Sequence, residues 1–238
     1  MTETIHALAG GLIVSCQAYP GEPLRHPETM AQMAEAVVAG GAAGIRAQGI
    51  ADISFIKGRT AVPLIGLWKD GHDEVFITPT LRHARAVRDA GAEIVALDGT
   101  RRPRPDGLSL NETIHLLRQE SPTLVMADCG SLADALAARD AGVDIIGTTL
   151  AGYTGERPRT SGPDLELISE ITHRITDVPV FAEGRIHTPH QARHALDAGA
   201  HAVVVGTAIT HPTTLSTWFT DALRTDAQPA KPTPAEPS

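Results

Sequence analysis

Eight short apolar runs, each bounded by turn residues, recur along the whole chain and constrain its fold more than any other feature. Between them lie Ala-, Arg- and Leu-rich stretches with helical spacing. Three of these stretches end in Ala-Gly, at Gly91, Gly142 and Gly199, as expected where a helix stops. The apolar runs are GLIVSCQ (11–17), AGIRAQ (43–48), LIGLWK (64–69), EIVALDG (93–99), TLVMADC (123–129), DIIGTTL (144–150), VPVFAEGR (178–185) and AVVVGTA (202–208).

The helix ends and the strands after them are near-repeats: DAGAEIVALD, DAGVDIIGTT and DAGAHAVVVG. Eight strand–helix units in 238 residues predict one α/β domain, a closed (β/α)₈ TIM barrel. An open doubly wound sheet is the alternative, but no GxGxxG follows the first run, so the barrel is favoured. We expect the barrel over residues 1–224 and a disordered Pro- and Ala-rich tail over 225–238.

Composition restricts the classes of partner. Aromatic residues make up 3% of the chain, so the core must consist of aliphatic residues, which suits buried parallel strands. A net charge of −8 without a basic stripe argues against nucleic acid and membrane partners. The cluster Arg101, Arg102 and Arg104, interrupted by proline, is interpreted as a solvated loop. Two cysteines and no signal-peptide pattern predict a cytoplasmic protein.

Polar side chains end most of the apolar runs, where folding alone explains them least. In a (β/α)₈ barrel the C-terminal ends of the strands surround one shared mouth. Ionisable groups gathered there predict a functional site. These residues are Gln17, Arg46, Lys69, Asp98, Asp128, Thr148, Thr149, Glu183, Arg185 and Thr207.

Several of these residues also have a purely structural interpretation. Asp98 precedes a Gly-Thr turn and could accept backbone N–H groups. Arg46 could be a buried ion-pair partner, and Lys69 could extend its ammonium group to solvent. Their joint occurrence at predicted strand ends favours a site.

The segments EGRIHTP and VGTAITHP follow the seventh and eighth runs, where many barrels bind phosphate. Gly184 and Gly206 would allow the backbone to approach an anion closely, although they could equally serve tight turns. Arg185 could supply charge, and Thr188 and Thr207 could supply hydroxyls. The sequence therefore predicts a phosphate site beside Glu183.

Two other patterns are predicted to carry no chemistry. His187, His190 and His194 have the spacing of a helix face, but no HExxH carboxylate accompanies them, so we expect a wet helix surface and no metal. Cys16 and Cys129 each lie one position from a predicted site residue, so strand alternation should point them away from the mouth.

The motifs of the chain, taken in order, resemble those of the N-acylglucosamine-6-phosphate 2-epimerases. The resemblance runs from about Gly11 to Phe219 and implies a TIM barrel that converts N-acetylmannosamine 6-phosphate to N-acetylglucosamine 6-phosphate in sialic acid breakdown. It implies a phosphorylated amino-sugar substrate and neither a metal nor an organic cofactor, and a homodimer is expected. The motifs are GLIVSCQAYPGEPL, GIRA, GLWK, ITPT, ALDGTRRPRPDG, MADC, GTTLAGYT, AEGRIHTP and VVVGTAIT.

The resemblance also implies roles for individual residues. Lys69 matches the catalytic lysine and Glu183 a second acid–base group, while Asp128, Arg46 and Gln17 match the polar set around the sugar. The segments at Gly184-Arg185 and Gly206-Thr207 match the phosphate-binding ones, and Thr149 is expected to contact substrate. Four departures are visible: the loop DGHDEVF after Lys69 is short, and Gly99, Gly130 and His211 stand where alanine, serine and arginine are expected.

The chemistry of a C2 epimerisation agrees with these roles. The C2 hydrogen becomes acidic only once the ring opens to a C1 carbonyl, so we expect Lys69 to exchange that proton and Glu183 to assist ring opening. Asp128 is expected to position Lys69 or hold a sugar hydroxyl, and Arg46 and Gln17 to stabilise the enolate oxygen or the acetamide. Two alternatives stay open: an aldolase that forms a Schiff base at Lys69, and a non-catalytic phosphosugar-binding barrel.

Overall fold

Eight strands within residues 2–71 and 74–225, the part of the chain that the computed structural model describes, form a closed parallel barrel. Each strand pairs with the next one in sequence, and the eighth pairs with the first. The predicted (β/α)₈ barrel is therefore confirmed. The strands are β1 (Leu12–Cys16), β2 (Gly44–Gln48), β3 (Leu64–Leu67), β4 (Ile94–Asp98), β5 (Leu124–Asp128), β6 (Ile145–Gly147), β7 (Val180–Glu183) and β8 (Ala202–Val205).

Helices alternate with the strands along the chain. No helix in the described ranges is both long and apolar enough to cross a membrane. The predicted tail lies outside the described residues except for Thr225, which ends the last helix. The helices are α1 (Glu3–His6), α2 (Pro27–Ala39), α3 (Ile50–Lys57), α4 (Leu81–Asp89), α5 (Leu110–Glu120), α6 (Leu132–Asp140), α7 (Leu165–Arg174), α8 (Pro189–Asp197), α9 (Thr207–Thr210) and α10 (Pro212–Thr225).

Side chains of the strands alternate between the barrel interior and the layer beneath the helices, as the two-residue period requires. Ile13, Ile65 and Phe181 belong to the interior cluster. Cys16 and Cys129 are buried in the outer cluster between strands and helices, which confirms that they point away from the barrel mouth. Polar side chains that point inward at the C-terminal ends of the strands therefore lie around one barrel mouth.

The short helix α1 closes the N-terminal end of the barrel. Ile5 and Leu8 are buried in the same cluster as the interior strand residues. The imidazole of His201 stacks on the ring of Phe181, and its Nε2 lies 3.1 Å from the carbonyl oxygen of Ile5. Because apolar side chains fill this end, the C-terminal ends of the strands are left for a site.

Glycines end three helices in the predicted way. Gly91, Gly142 and Gly199 follow α4, α6 and α8 with φ angles of +108°, +90° and +101°. These values lie in the left-handed region, which glycine adopts without steric penalty. Each helix therefore stops sharply and returns the chain to the next strand.

Candidate active site

A cavity of about 630 Å³ lies at the C-terminal ends of the strands. Nine of the residues that the sequence predicts for the site line this cavity, whereas Asp98, Asp128, Thr148 and Thr188 do not. The nine are Gln17, Arg46, Lys69, Thr149, Glu183, Gly184, Arg185, Gly206 and Thr207. They come from six segments that are distant in sequence, so only barrel closure makes them neighbours.

Arg46 lies at the centre of a buried ionic cluster. Its side chain is 1% exposed, and its guanidinium contacts both oxygens of Asp128, with Nη1–Oδ1 at 3.1 Å and Nη2–Oδ2 at 2.6 Å. Nη1 also lies 3.1 Å from Glu183 Oε2. One cation therefore serves two carboxylates, and such a bidentate geometry fixes the guanidinium plane.

The negative charge of Glu183 is less well compensated by Arg46 than the negative charge of Asp128. Burial raises its pKa to about 7, the charge of Asp128 acts in the same direction, and Arg46 opposes both. Asp128 holds the shorter contact with Arg46 and is fully buried with it. A pKa near 7 is the value that an acid–base catalyst acting at neutral pH requires.

The raised pKa of Glu183 also makes the folded protein less stable as pH increases. The carboxyl group titrates near 4.5 when unfolded and near 7 when folded, so between these values only the folded state holds the proton. Stability therefore falls across that window by roughly 3 kcal/mol. For Glu183→Gln we expect a melting temperature that rises relative to wild type by about 5–10 °C between pH 4.5 and pH 8. Calorimetry of both proteins measures this difference; a constant offset would contradict it.

Thr149 connects the two carboxylates. Its Oγ1 lies 2.5 Å from Asp128 Oδ1 and 3.2 Å from Glu183 Oε2. A hydroxyl carries one proton, and the shorter contact assigns that proton to Asp128. When the Thr149 hydroxyl donates to Glu183 instead, it lowers the pKa of Glu183, and burial outweighs that effect.

Asp128 lies beneath the cavity rather than on its wall. Its side chain is fully buried, and its oxygens accept from Arg46 and Thr149. The expected contact with a sugar hydroxyl stays a prediction, and the buried side chain lies outside the cavity lining. The contacts that Asp128 does make hold Arg46 in place.

Lys69 lies two residues beyond the end of β3 and reaches the cavity from there. Its Nζ donates to Gln17 Oε1 at 2.9 Å, while the amide nitrogen of Gln17 donates to Ser15 Oγ at 2.7 Å. Both polar ends of Gln17 are therefore engaged within the protein, so Gln17 orients Lys69. Burial and the positive charge of Arg46 lower the pKa of Lys69, and Glu183 and Asp128 oppose the shift.

The predicted phosphate segments are only partly arranged as expected. Gly184, at φ +111°, lies on the cavity wall with Gly206 and Thr207. The guanidinium of Arg185 donates to the carbonyl oxygens of Ala151 and Gly162 and to Thr160 Oγ1, at 2.7, 3.2 and 3.1 Å. Arg185 thus holds the segment after β6 against the mouth instead of standing free for an anion.

Thr188 departs further from the prediction. It is the N-cap of α8, and its hydroxyl accepts the N–H of Gln191 while the Gln191 side chain accepts the N–H of Thr188. This capping box satisfies the helix terminus internally, so the start of α8 offers little to a phosphate. The helix start at Thr188-Pro189 is confirmed, whereas the hydroxyl contact from Thr188 stays a prediction, and Thr188 lies outside the cavity lining.

Comparison with known proteins decides the family. Residues 30–225 match the family model described as "Putative N-acetylmannosamine-6-phosphate epimerase". A Cutibacterium acnes protein named "Putative N-acetylmannosamine-6-phosphate 2-epimerase" is 66% identical over 221 residues, which cover 92% of this chain and 96% of that protein. The chain belongs to this epimerase family.

Other members of the epimerase family agree in sequence and in structure. A relative of the same name from Caldanaerobacter subterraneus subsp. tengcongensis is 47% identical and covers 88% of this chain and 90% of its own length. The N-acetylmannosamine-6-phosphate 2-epimerase from Clostridium perfringens superimposes with a TM-score of 0.89 at 39% identity, covering 93% of this chain and 96% of that chain. The resemblance described from the sequence is thus confirmed along nearly the whole barrel.

Two departures from the residues expected in the epimerase family have a local steric reason. A Cβ atom on Gly99 would lie 2.6 Å from that of Ala127, and one on Gly130 would clash with the Thr154 hydroxyl. Both glycines therefore fit their neighbours closely in this chain. The third, His211, lines the cavity with its Nε2 2.5 Å from Glu22 Oε1.

The arginine cluster of the chain is only partly the solvated loop that composition suggested: Arg101 is exposed, whereas Arg102 and Arg104 are not. Arg104 is 7% exposed and donates to the carbonyl oxygens of Asp98 and Thr78. Arg102 lines the cavity and pairs with Asp98 at 2.8 Å. Asp98 itself is buried and caps Thr100, so its structural interpretation is the better one. The sequence around Arg102 and Arg104, with its prolines and exposed neighbours, contains no pattern that would predict a buried arginine.

The histidine pattern divides into two parts. His190 and His194 are exposed on α8, as predicted. His187 precedes the helix, lines the cavity and packs edge-on against Trp218, so the prediction of a wet helix surface is wrong for this residue. No three His, Cys, Asp or Glu side chains among residues 2–71 and 74–225 are grouped so that they could hold a metal ion.

The cavity residues that were not singled out as site residues from the sequence include Ser15, Tyr19, Arg102 and His211. Ser15 precedes Gln17 by two positions on the same strand face, and this period-two relation is the signal that could have identified it. The others lie outside the strands, where no periodicity in the sequence predicts the direction of a side chain.

Proposed function

We propose that this chain inverts C2 of N-acetylmannosamine 6-phosphate to give N-acetylglucosamine 6-phosphate. The observation that carries the proposal is a lysine and a carboxylic acid in one cavity, with pKa values shifted towards each other. The pKa of Lys69 is lowered and that of Glu183 is raised to about 7. An acid and a base tuned towards neutral pH suit proton transfer at a carbon next to a carbonyl.

The proton is removed from the open-chain form of the sugar. The amine of Lys69 takes the C2 proton, and the electron pair of that C–H bond forms a C1=C2 double bond while negative charge develops on O1. Glu183, in its protonated form, donates a hydrogen bond or its proton to O1. Return of a proton to the opposite face of C2, with restoration of the C1 carbonyl, completes the inversion.

Arg46 supplies the electrostatic stabilisation. Its guanidinium is buried and held by Asp128, so it requires no reorganisation when charge develops on the enolate oxygen. Asp128 and Thr149 act through Arg46 and Glu183 rather than by touching the sugar. Gln17, with Ser15, fixes the direction of the Lys69 amine.

The phosphate would lie against the backbone at Gly184, Gly206 and Thr207. The absence of side chains at the two glycines allows an anion to approach the main chain closely. His187 and His211 line the same cavity, and their imidazole N–H groups could donate hydrogen bonds to the phosphate. Anchoring the phosphate there fixes the distance from C2 to Lys69.

The direct test is conversion of N-acetylmannosamine 6-phosphate in heavy water, followed by proton NMR. We expect N-acetylglucosamine 6-phosphate to form with loss of the C2 proton signal, because the abstracted proton exchanges with solvent. The unphosphorylated sugar serves as the control for the phosphate anchor, and we expect much slower turnover. Binding without conversion or exchange would instead support the phosphosugar-binding alternative.

An aldolase that uses Lys69 as a Schiff-base nucleophile is the second enzymatic candidate, because a buried lysine of lowered pKa suits that chemistry too. Borohydride reduction in the presence of substrate distinguishes the two. The aldolase would gain a covalent adduct detectable by mass spectrometry, and the epimerase would not.

The setting of the reaction is proposed on the same basis. The activity would serve sialic acid and amino-sugar breakdown in the cytoplasm. The proposed homodimer finds support in the exposed apolar side chains of α10, where Phe219 and Leu223 are 73% and 74% exposed. Sedimentation analysis of the purified protein tests the dimer.

A further inference from the structure

Lys69 is not held by the barrel sheet. The strand β3 ends at Leu67, and Lys69 forms an isolated antiparallel bridge with Ile77 across a short hairpin. Two backbone hydrogen bonds close this hairpin: Thr78 N–H donates to the Trp68 carbonyl at 2.8 Å, and Asp70 N–H donates to the Phe76 carbonyl at 3.1 Å. The position of the Lys69 amine therefore depends on the hairpin.

Thr78 ends this hairpin in an unfavourable conformation. Its φ angle is +45°, a left-handed value that a β-branched residue rarely adopts. The residue is fully buried, and its Oγ1 accepts the N–H of Trp68 at 3.1 Å. Backbone strain of this kind persists only where the surroundings enforce it, and it is concentrated at functional sites.

The surroundings of Thr78 come from the neighbouring strand and its loop. The carbonyl oxygen of Thr78 accepts Arg104 Nη2 at 2.7 Å, and Arg104 Nη1 donates to the Asp98 carbonyl at 3.0 Å. The N–H of Asp98 donates to the Ile77 carbonyl at 3.0 Å. The carbonyl oxygens of Ile77 and Thr78, on one side of the hairpin, are thus held by Asp98 at the end of β4 and by Arg104 in the loop after it.

A second contact holds the residue directly after Lys69. Asp70 Oδ2 lies 2.8 Å from Nε2 of the buried His83, whose ring packs edge-on against Trp68. The backbone on each side of Lys69 is therefore fixed: Trp68 by Thr78, and Asp70 by His83. Lys69 itself pairs with Ile77 in the bridge, and its amine contacts Gln17 rather than the hairpin.

We propose that Thr78 is a positioning residue of the reaction, whose hydroxyl and left-handed backbone hold the hairpin that aims the Lys69 amine at C2. The inference rests on the proposed function. Thr78 touches neither the cavity nor the substrate, so its effect should fall on the chemical step and not on binding. A misplacement of the base by about 1 Å is enough to reduce turnover about a hundredfold.

The experiment compares kcat, KM and melting temperature for three threonine variants of the full chain. Thr78→Val keeps the shape but removes the acceptor for the Trp68 N–H, and we expect kcat to fall about 10–100-fold with KM within twofold. Thr78→Ser keeps the hydroxyl, so its kcat should be close to that of wild type. Thr113→Val is the matched control: Thr113 is equally buried, its hydroxyl donates to the carbonyl oxygen of Ser109, the N-cap of α5, and the variant should lose stability without losing kcat.

A folded Thr78→Val variant that keeps wild-type kcat would overturn the proposal, as would an equal loss of kcat in Thr113→Val. If Thr78→Val does not fold, Arg104→Met removes the donor to the Thr78 carbonyl while keeping an apolar side chain of similar length. We expect the same loss of kcat at constant KM, and unchanged kcat would again overturn the proposal. An inactive wild-type protein would count against the proposed function instead, so the two failures are distinguishable.

Discussion

Replacement of Lys69 by methionine is expected to lower kcat/KM about 10²–10⁴-fold, the usual contribution of a positioned general base. Methionine retains the apolar stem and removes the amine that accepts the C2 proton. Deuterium entry at C2 should fall in parallel with turnover, because both require the same proton abstraction. The measurement is proton NMR of N-acetylmannosamine 6-phosphate in heavy water, with initial rates taken at several substrate concentrations.

Lys57→Met is the matched control for this experiment. Lys57 lies on α3, is partly exposed and pairs with Glu93, far from the residues that line the cavity. A surface pair of this kind contributes little to stability, so activity should be unchanged. Wild-type exchange at C2 in the Lys69 variant would show that another group is the base.

Glu183→Gln is expected to lower kcat by a similar factor and to change its dependence on pH. Glutamine has almost the same shape but cannot transfer a proton to O1. The proposed step needs Glu183 protonated and Lys69 neutral, so wild-type kcat should depend on pH through both groups, with a limb near pH 7 that belongs to Glu183. In the variant the limb near pH 7 should disappear, and kcat should rise with pH as Lys69 loses its proton.

The control for the glutamate substitution is Glu112→Gln. Glu112 is the exposed N3 residue of the capping box of α5, and glutamine satisfies the same box. Its pH profile should match that of wild type. A limb near pH 7 that persisted in Glu183→Gln would assign that titration to another group, and the proposed acid role would be wrong.

The sequence was sufficient for the barrel and for the residues on its strands. Alternation with a period of two points Arg46 and Glu183 to the interior, and barrel closure brings them together. The same alternation correctly predicts that the side chains of both cysteines point outward, towards the helices. These features follow from local periodicity combined with one topological rule, and both are visible in a single sequence.

Loop residues could not be placed in this way. The buried guanidinium of Arg104 is compensated by the carbonyl oxygens of Asp98 and Thr78, which accept its N–H groups. Arg185 lies beside Glu183 in sequence, yet its guanidinium holds the loop after β6 rather than a ligand. Such assignments depend on hydrogen bonds between segments that are distant along the chain, for which a single sequence offers no signal.

The pairing of β8 with β1 has a consequence for how activity is acquired during folding. Leu12, Ile13 and Val14 pair with Val203, Val204 and Val205, so the sheet closes only when residues about 190 positions apart meet. Contacts of such long range form late because their loop-closure entropy must be overcome first. Ser15 and Gln17, which orient Lys69, extend from this last seam. Refolding chains should therefore regain helical circular dichroism before they regain turnover, and a nascent chain stays inactive until its final strand has emerged from the ribosome.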